Sequence, residues 1–239
     1  MIPLRGLNPT RRVPVITILL IAVNAVVFFY ELSLNARGQR SLFLQFGLVP
    51  ATVTRNLTPT AALTFITSMF LHGDWLHIGG NMLYLYIFGN NIEDRLGLVR
   101  FILFYFLGGI VAGLSQIVIN PASPAPMIGA SGAIAGILGG YIVLYPHARV
   151  KTLIIFWYFI RVVELSAAWL LGWWFFLQLL NGVISIGSFA SGGVAVFAHI
   201  GGFIVGAILI RVFTLGGHGR DTWWGPPPDQ PRSSNRWWD

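Results

Sequence analysis

Six stretches of this chain, near 13–32, 76–92, 98–119, 130–146, 164–186 and 193–214, are apolar enough and long enough to cross a bilayer, which takes about 20 helical residues. A backbone in hydrocarbon must satisfy its own hydrogen bonds, so such stretches fold as helices. The chain therefore reads as an all-α polytopic membrane protein, a bundle of six transmembrane helices. Its charge content agrees: 10% of 239 residues are charged, against about 25% in ordinary soluble domains. The formal charge of +7 is scattered between apolar segments and forms no single patch, which favours membrane topology over nucleic-acid binding. There is no cysteine, which excludes disulfides, thiolate metal sites and a cysteine nucleophile.

Orientation follows from the cations. Arg5, Arg11 and Arg12 precede span one; Arg95 and Arg100 join spans two and three; Arg149 and Lys151 follow span four; Arg211, Arg220, Arg232 and Arg236 follow span six. The opposite loops hold Arg37, Arg40 and Arg55. The positive-inside rule then puts both termini in the cytoplasm. Val13 to Leu32 is too long for a signal-peptide core and reads as a retained helix, and the short N-terminus, with no organellar transit peptide in view, suggests a prokaryotic plasma (inner) membrane. The expected organisation is a cytoplasmic segment 1–12, a membrane domain 13–214 and a disordered cytoplasmic tail 215–239 rich in Pro and polar residues.

Two regions fit the template less simply. Residues 33–75 are apolar and aromatic but interrupted, as expected of interfacial or re-entrant segments at the outer surface. Residues 153–182 are too long for one span; Arg161 and Glu164 are placed at the cytoplasmic edge, with the stretch before them interfacial.

Polar side chains at membrane depth are costly and are functional candidates by default. Ser131 opens span four in "MIGASGAIAG", His199 lies in the first half of span six, and His77 and Asn81 share one face of span two, being four residues apart. Spans two, four and six all start at the outer face, so these residues share a depth. Small-residue stripes, Gly132, Gly136 and Gly140 on span four and Ala198, Gly202 and Gly206 on span six, let two helices approach closely in lipid. If the spans meet along them, Ser131 and His199 come within hydrogen-bond reach. A neutral imidazole can take a serine proton, and the oxyanion formed on attack needs donors, which Asn81, His77 and the Ser131 backbone N–H supply. No Asp or Glu on these three spans sits at that depth, so the arrangement is a dyad.

Each residue also has a plainer reading. Serine at a helix start is commonly a cap or a packing residue; a membrane histidine can be an interhelical partner, a proton relay or a cofactor ligand; Asn81 can be structural glue. His72, in "FLHGDW", reads as structural, and His147 and His218 as solvated on the cytoplasmic side. Metal binding by His72, His77 and His199 lacks an HExxH motif or a suitably spaced carboxylate, so no metal or cofactor is expected.

In "HIGGN" (77–81), Glu93-Asp94-Arg95-Leu96-Gly97, "GASG" (129–132) and "AHIGGFIVG" (198–206), the sequence resembles the rhomboid family of intramembrane serine proteases, with the motifs in the family's order. The resemblance implies a six-helix rhomboid-like bundle in which Ser131 is the nucleophile and His199 the general base, with His77 and Asn81 stabilising the oxyanion. It makes Glu93 and Arg95 structural, residues 33–75 the family's first loop, and span five the substrate gate. It implies hydrolysis of peptide bonds in or next to transmembrane segments, with single-span or other membrane proteins and the lipid bilayer as partners and no nucleic acid. Two features depart from the family: Ala135 stands where some members carry an aromatic that stacks on the histidine, and the first loop has no clear Trp-Arg pair. A non-catalytic rhomboid-like protein that binds membrane clients is the alternative. A small transporter is disfavoured by the lack of paired halves.

Overall fold

The computed structural model describes residues 1–187 and 195–215. The expected tail, apart from Leu215, lies outside them, as do His218, Arg220, Arg232 and Arg236. The chain runs through strand β1 (Ile2–Gly6) and helix α1 (Val15–Ser33). Three short helices follow, α2 (Ala36–Phe46), α3 (Pro50–Arg55) and α4 (Pro59–Thr67), then α5 (Trp75–Tyr84), α6 (Asn90–Leu96), α7 (Leu98–Ile119) and α8 (Ser131–Leu144). Strands β2 (Arg149–Phe156) and β3 (Phe159–Ser166) precede α9 (Ala167–Gly187) and α10 (Val196–Thr214).

The protein is mostly helical, and among the described residues four helices, α1, α7, α9 and α10, are long and apolar enough to cross a membrane. The second expected span is α5 and α6 joined by a π-helical turn, Leu85–Gly89. The fourth is α8, whose 14 residues rise only about 21 Å against a hydrocarbon core of about 30 Å.

Local chemistry explains where the elements begin. Residues 33–75 form short helices, as interruptions by Pro and polar residues demand: Pro50 and Pro59 occupy first-turn positions, where a missing N–H costs nothing. Asn35 accepts from Gly38 N–H at 2.9 Å and caps α2, and Thr58 caps α4. Glu93 on α6 reaches across to the start of α1, accepting from the backbone N–H of Ile16 and Thr17 at 2.9 and 2.8 Å and from the Thr17 hydroxyl at 2.7 Å. One buried carboxylate thus satisfies two orphan donors at a helix N-terminus, where its charge also suits the helix dipole.

At the centre, α8 is buried on every side from Ala133 to Tyr141. It packs on α10 at backbone contact: a Cβ on Gly202 would collide with the Gly132 carbonyl, and one on Gly206 with the Gly136 carbonyl. The two predicted stripes therefore meet. Gly139, outside the predicted stripe, is equally necessary, since a Cβ there would strike the Phe203 carbonyl.

The all-α expectation needs one correction. Residues 149–166 are not an interfacial approach to span five but a β-hairpin, and β1, from the segment set apart as 1–12, pairs with it to give an antiparallel sheet in the order β1-β2-β3. The fifth helix consequently starts at Ala167, not at 164. "TLIIFWYFIRVV" is apolar at every position but Thr152 and Arg161, a continuous run that periodicity cannot assign to a helix or a strand. Pairing with β1, which lies far away in sequence, decides it.

Candidate active site

Ser131 is the first residue of α8, placed there by a tight entry. Gly129 takes φ +116, a conformation that suits glycine, and its N–H donates to the Ser68 carbonyl at 2.8 Å. His199 sits one turn into α10. The start of that helix is held by Gln116 of α7, whose side-chain oxygen accepts from Phe197 N–H at 3.1 Å. The closeness of α8 and α10 then leaves His199 Nε2 and Ser131 Oγ 2.8 Å apart. His199 is 9% exposed and Ser131 half-buried.

The other face of the imidazole is occupied by α9, which the sequence reading did not connect with the dyad. His199 Nδ1 lies 3.0 Å from Gln178 Oε1. An amide oxygen only accepts, so Nδ1 carries the proton and Nε2 presents its lone pair to the serine hydroxyl. Trp174, one turn earlier on α9, packs on the same ring at a centroid distance of 5.9 Å. The aromatic missing at Ala135 thus enters from another helix, while Ala135 itself is fully buried. The rule applied to Ser131 and His199, that polar groups at membrane depth merit scrutiny, would have selected Gln178 as well.

His77 and Asn81 both stand over Gly129. A Cβ on that glycine would lie 2.5 Å from His77 Nε2 and 3.5 Å from Asn81 Nδ2, so only glycine leaves room for the pair. Asp74 caps α5, accepting from His77 N–H at 2.8 Å. Gly73 N–H makes a long, 3.5 Å bond to His77 Nδ1, which leaves the ring proton on Nε2, toward Gly129. Asn81 Nδ2 lies 2.9 Å from His72 Nε2 and donates to it. Its second N–H remains available near Gly129.

His72, read as structural, proves to be Asn81's support. Burial, joined by the neighbouring His77, pushes its pKa down from 6.5 to about 4, so at neutral pH the ring is uncharged and can accept from Asn81. Its backbone N–H donates to the Glu31 carboxylate at 3.1 and 3.3 Å, and Glu31, placed by the sequence at the outer end of span one, is 1% exposed. Among the described residues there is no group of three or more His, Cys, Asp or Glu able to hold a metal ion.

The sequence model of the Rhomboid domain family matches residues 59–215, which include every residue of this cluster except Glu31. Rhomboid-like protein 11, chloroplastic, of Arabidopsis thaliana is 26% identical over 196 residues, 80% of this chain and 62% of its own length. Rhomboid-like protease 5 of Toxoplasma gondii is 30% identical over 178 residues, 72% of this chain and 18% of that protein. The putative rhomboid protease YdcA of Bacillus subtilis is 35% identical over 77 residues, 32% of this chain and 38% of its own length. The chain thus spans less than two thirds of the length of each of these relatives. With the family match covering well over half of the chain, the protein belongs to the rhomboid family, as a membrane protein of that family.

Proposed function

We propose that the protein is an intramembrane serine endopeptidase that hydrolyses peptide bonds in or next to transmembrane segments of other membrane proteins. The observation that carries this reading is the 2.8 Å contact between Ser131 Oγ and His199 Nε2 where α8 meets α10. In the reaction, His199 Nε2 takes the hydroxyl proton as Ser131 Oγ attacks the scissile carbonyl. His77 Nε2–H, the free N–H of Asn81 and the Ser131 backbone N–H receive the oxyanion, each such donor being worth roughly 3–4 kcal/mol in known cases. The imidazolium returns its proton to the leaving amine, and water, activated by the same nitrogen, hydrolyses the acyl-enzyme.

In this reading α1, α5 with α6, α7, α8, α9 and α10 form a six-helix bundle. The shortness of α8 sinks Ser131 below the outer surface, with polar company where water must enter. Both termini are cytoplasmic, as the Lys and Arg asymmetry supports. We assign the chain to a prokaryotic plasma membrane; its relatives include one from Bacillus and others named as chloroplastic and mitochondrial.

The deciding experiment treats the full chain in liposomes with a fluorophosphonate probe and, separately, with a single-span substrate. A phosphonyl adduct on the peptide holding Ser131, together with cleavage near the outer boundary of the substrate's span, is expected. Substrate binding with neither adduct nor cleavage points instead to the client-binding protein, a reading kept alive by relatives named only as rhomboid-like proteins.

Gln178 acts in this scheme as a positioning residue. Gln178→Leu is expected to lower kcat about 10- to 100-fold with KM little changed, by analogy with the loss seen when a partner that orients a metal-ligating imidazole is removed. Gln178→Glu, which retains an acceptor oxygen, recovers most of the loss. Equal losses in both variants leave Gln178 a packing residue only.

A further inference from the structure

The link between α8 and α9 is built unlike a loop. The β2–β3 register runs unbroken from Arg149↔Ser166 to Phe156↔Phe159, leaving Trp157 and Tyr158 as a two-residue turn. Such turns need a positive φ, normally supplied by Gly, Asn or Asp. Here Trp157 adopts φ 54, an unfavourable conformation for a bulky side chain. A large aromatic has been put where chain geometry favours a small residue.

The exposure pattern points the same way. At the base, Val150 and Thr152 are fully buried; toward the tip, Ile155, Trp157, Tyr158 and Ile160 are 54%, 79%, 89% and 68% exposed. Cross-strand partners share a face, so Leu153 with Val162 and Ile155 with Ile160 make one continuous apolar surface. Among the described residues this exposed patch has no partner. Ala167 N–H and Ala168 N–H donate to the carbonyls of Ala148 and Pro146, both at 2.8 Å, which clamps the hairpin base to the adjoining ends of α8 and α9. Both helices belong to the membrane bundle, so the hairpin starts where that bundle ends, and its eight-residue strands are long enough, at about 26 Å, to carry the tip to an adjacent bilayer surface.

Cations lie along the hairpin. Arg5 on β1 lies opposite Lys151 on β2 near the base, and both are exposed, as is Arg149; Arg161, opposite Ile154, is exposed nearer the tip, and Glu164, opposite Lys151 on β3, is the single acid of the hairpin. Glu164 offsets one of these cations, which leaves the hairpin and β1 with a net positive charge. Aromatic and aliphatic side chains at a tip, flanked by excess positive charge, are what an anionic lipid surface attracts.

We propose that the β2–β3 hairpin is a membrane anchor: its tip, Trp157 and Tyr158 foremost, enters the leaflet beside it while Arg5, Arg149, Lys151 and Arg161 engage the phosphates of anionic phospholipids. The anchor does not depend on peptidase activity. Because Ser166 leads directly into Ala167, it also fixes the base of α9, the helix that carries Trp174 and Gln178.

The absence of cysteine makes a clean test possible. Tyr158→Cys and, as control, Glu164→Cys are labelled with an environment-sensitive fluorophore in the full chain, at one copy per nanodisc, in phosphatidylcholine with or without phosphatidylglycerol. The label at 158 is expected to resist aqueous iodide several-fold better than that at 164, to be quenched by brominated lipid, and to be more protected with phosphatidylglycerol. Adding Trp157→Gly, which relieves the turn, should return the label to water without lowering the thermal midpoint. Equal iodide access at 158 and 164 in both lipids overturns the proposal. Protection that arises only with two copies per disc overturns it too, making the tip a contact between chains.

Discussion

Ser131→Ala and His199→Ala are each expected to lower turnover of a single-span substrate by about 10⁴-fold or more, and the double variant to be no slower than either single one. The non-additivity follows from the 2.8 Å contact: once the hydroxyl is gone the imidazole has no proton to take, and once the imidazole is gone the hydroxyl is a poor nucleophile. Substrate co-purification should persist in all three variants. The check is quantitative cleavage in liposomes with matched amounts of folded protein. Wild-type turnover by Ser131→Ala would move the nucleophile elsewhere, and multiplied losses in the double variant would mean that the two residues act separately.

Gly206→Val carries the second large effect, on stability. The added side chain has to pass through the Gly136 carbonyl, a backbone group that cannot rotate away, so α8 and α10 must separate. A loss of about 3 kcal/mol or more is expected, the upper end of overpacking effects, together with loss of activity as Ser131 and His199 part. Gly172 on α9 is the matched control, because a Cβ there meets no atom within 4 Å. Gly172→Ala should be neutral or stabilising by up to about 1 kcal/mol through helix propensity. Thermal unfolding in one detergent compares them, and similar midpoints for the two variants would show that the glycine contact does not hold the helices together.

Much of the site was legible because its information is local. A serine and a histidine on separate apolar segments, each beside a small-residue stripe of helical period, nearly dictate which faces meet. The i, i+4 spacing of His77 and Asn81 likewise fixes one face of α5. What escaped were groups whose role depends on how a helix is turned about its axis. Gln178 and Trp174 lie in an apolar run polar or aromatic on several sides, "GWWFFLQLLNG", and nothing local says which side looks toward His199. Glu31 and His72 sit 41 residues apart and become neighbours only when α1 packs beside the turn preceding α5.

The sequence by itself determined that the chain is a helical membrane protein of the rhomboid family, that α8 and α10 would approach along glycine, and which polar residues would share a depth. Periodicity, length and motif order carry that information. The tertiary structure alone decided that a tryptophan and a glutamine from α9 replace the aromatic absent at Ala135, that the N-terminal strand closes a three-stranded sheet, and that an apolar run is a hairpin and not an interfacial stretch. Each of these depends on pairing between segments far apart in the chain, where the free energy comes from burial and hydrogen bonds that no local pattern encodes.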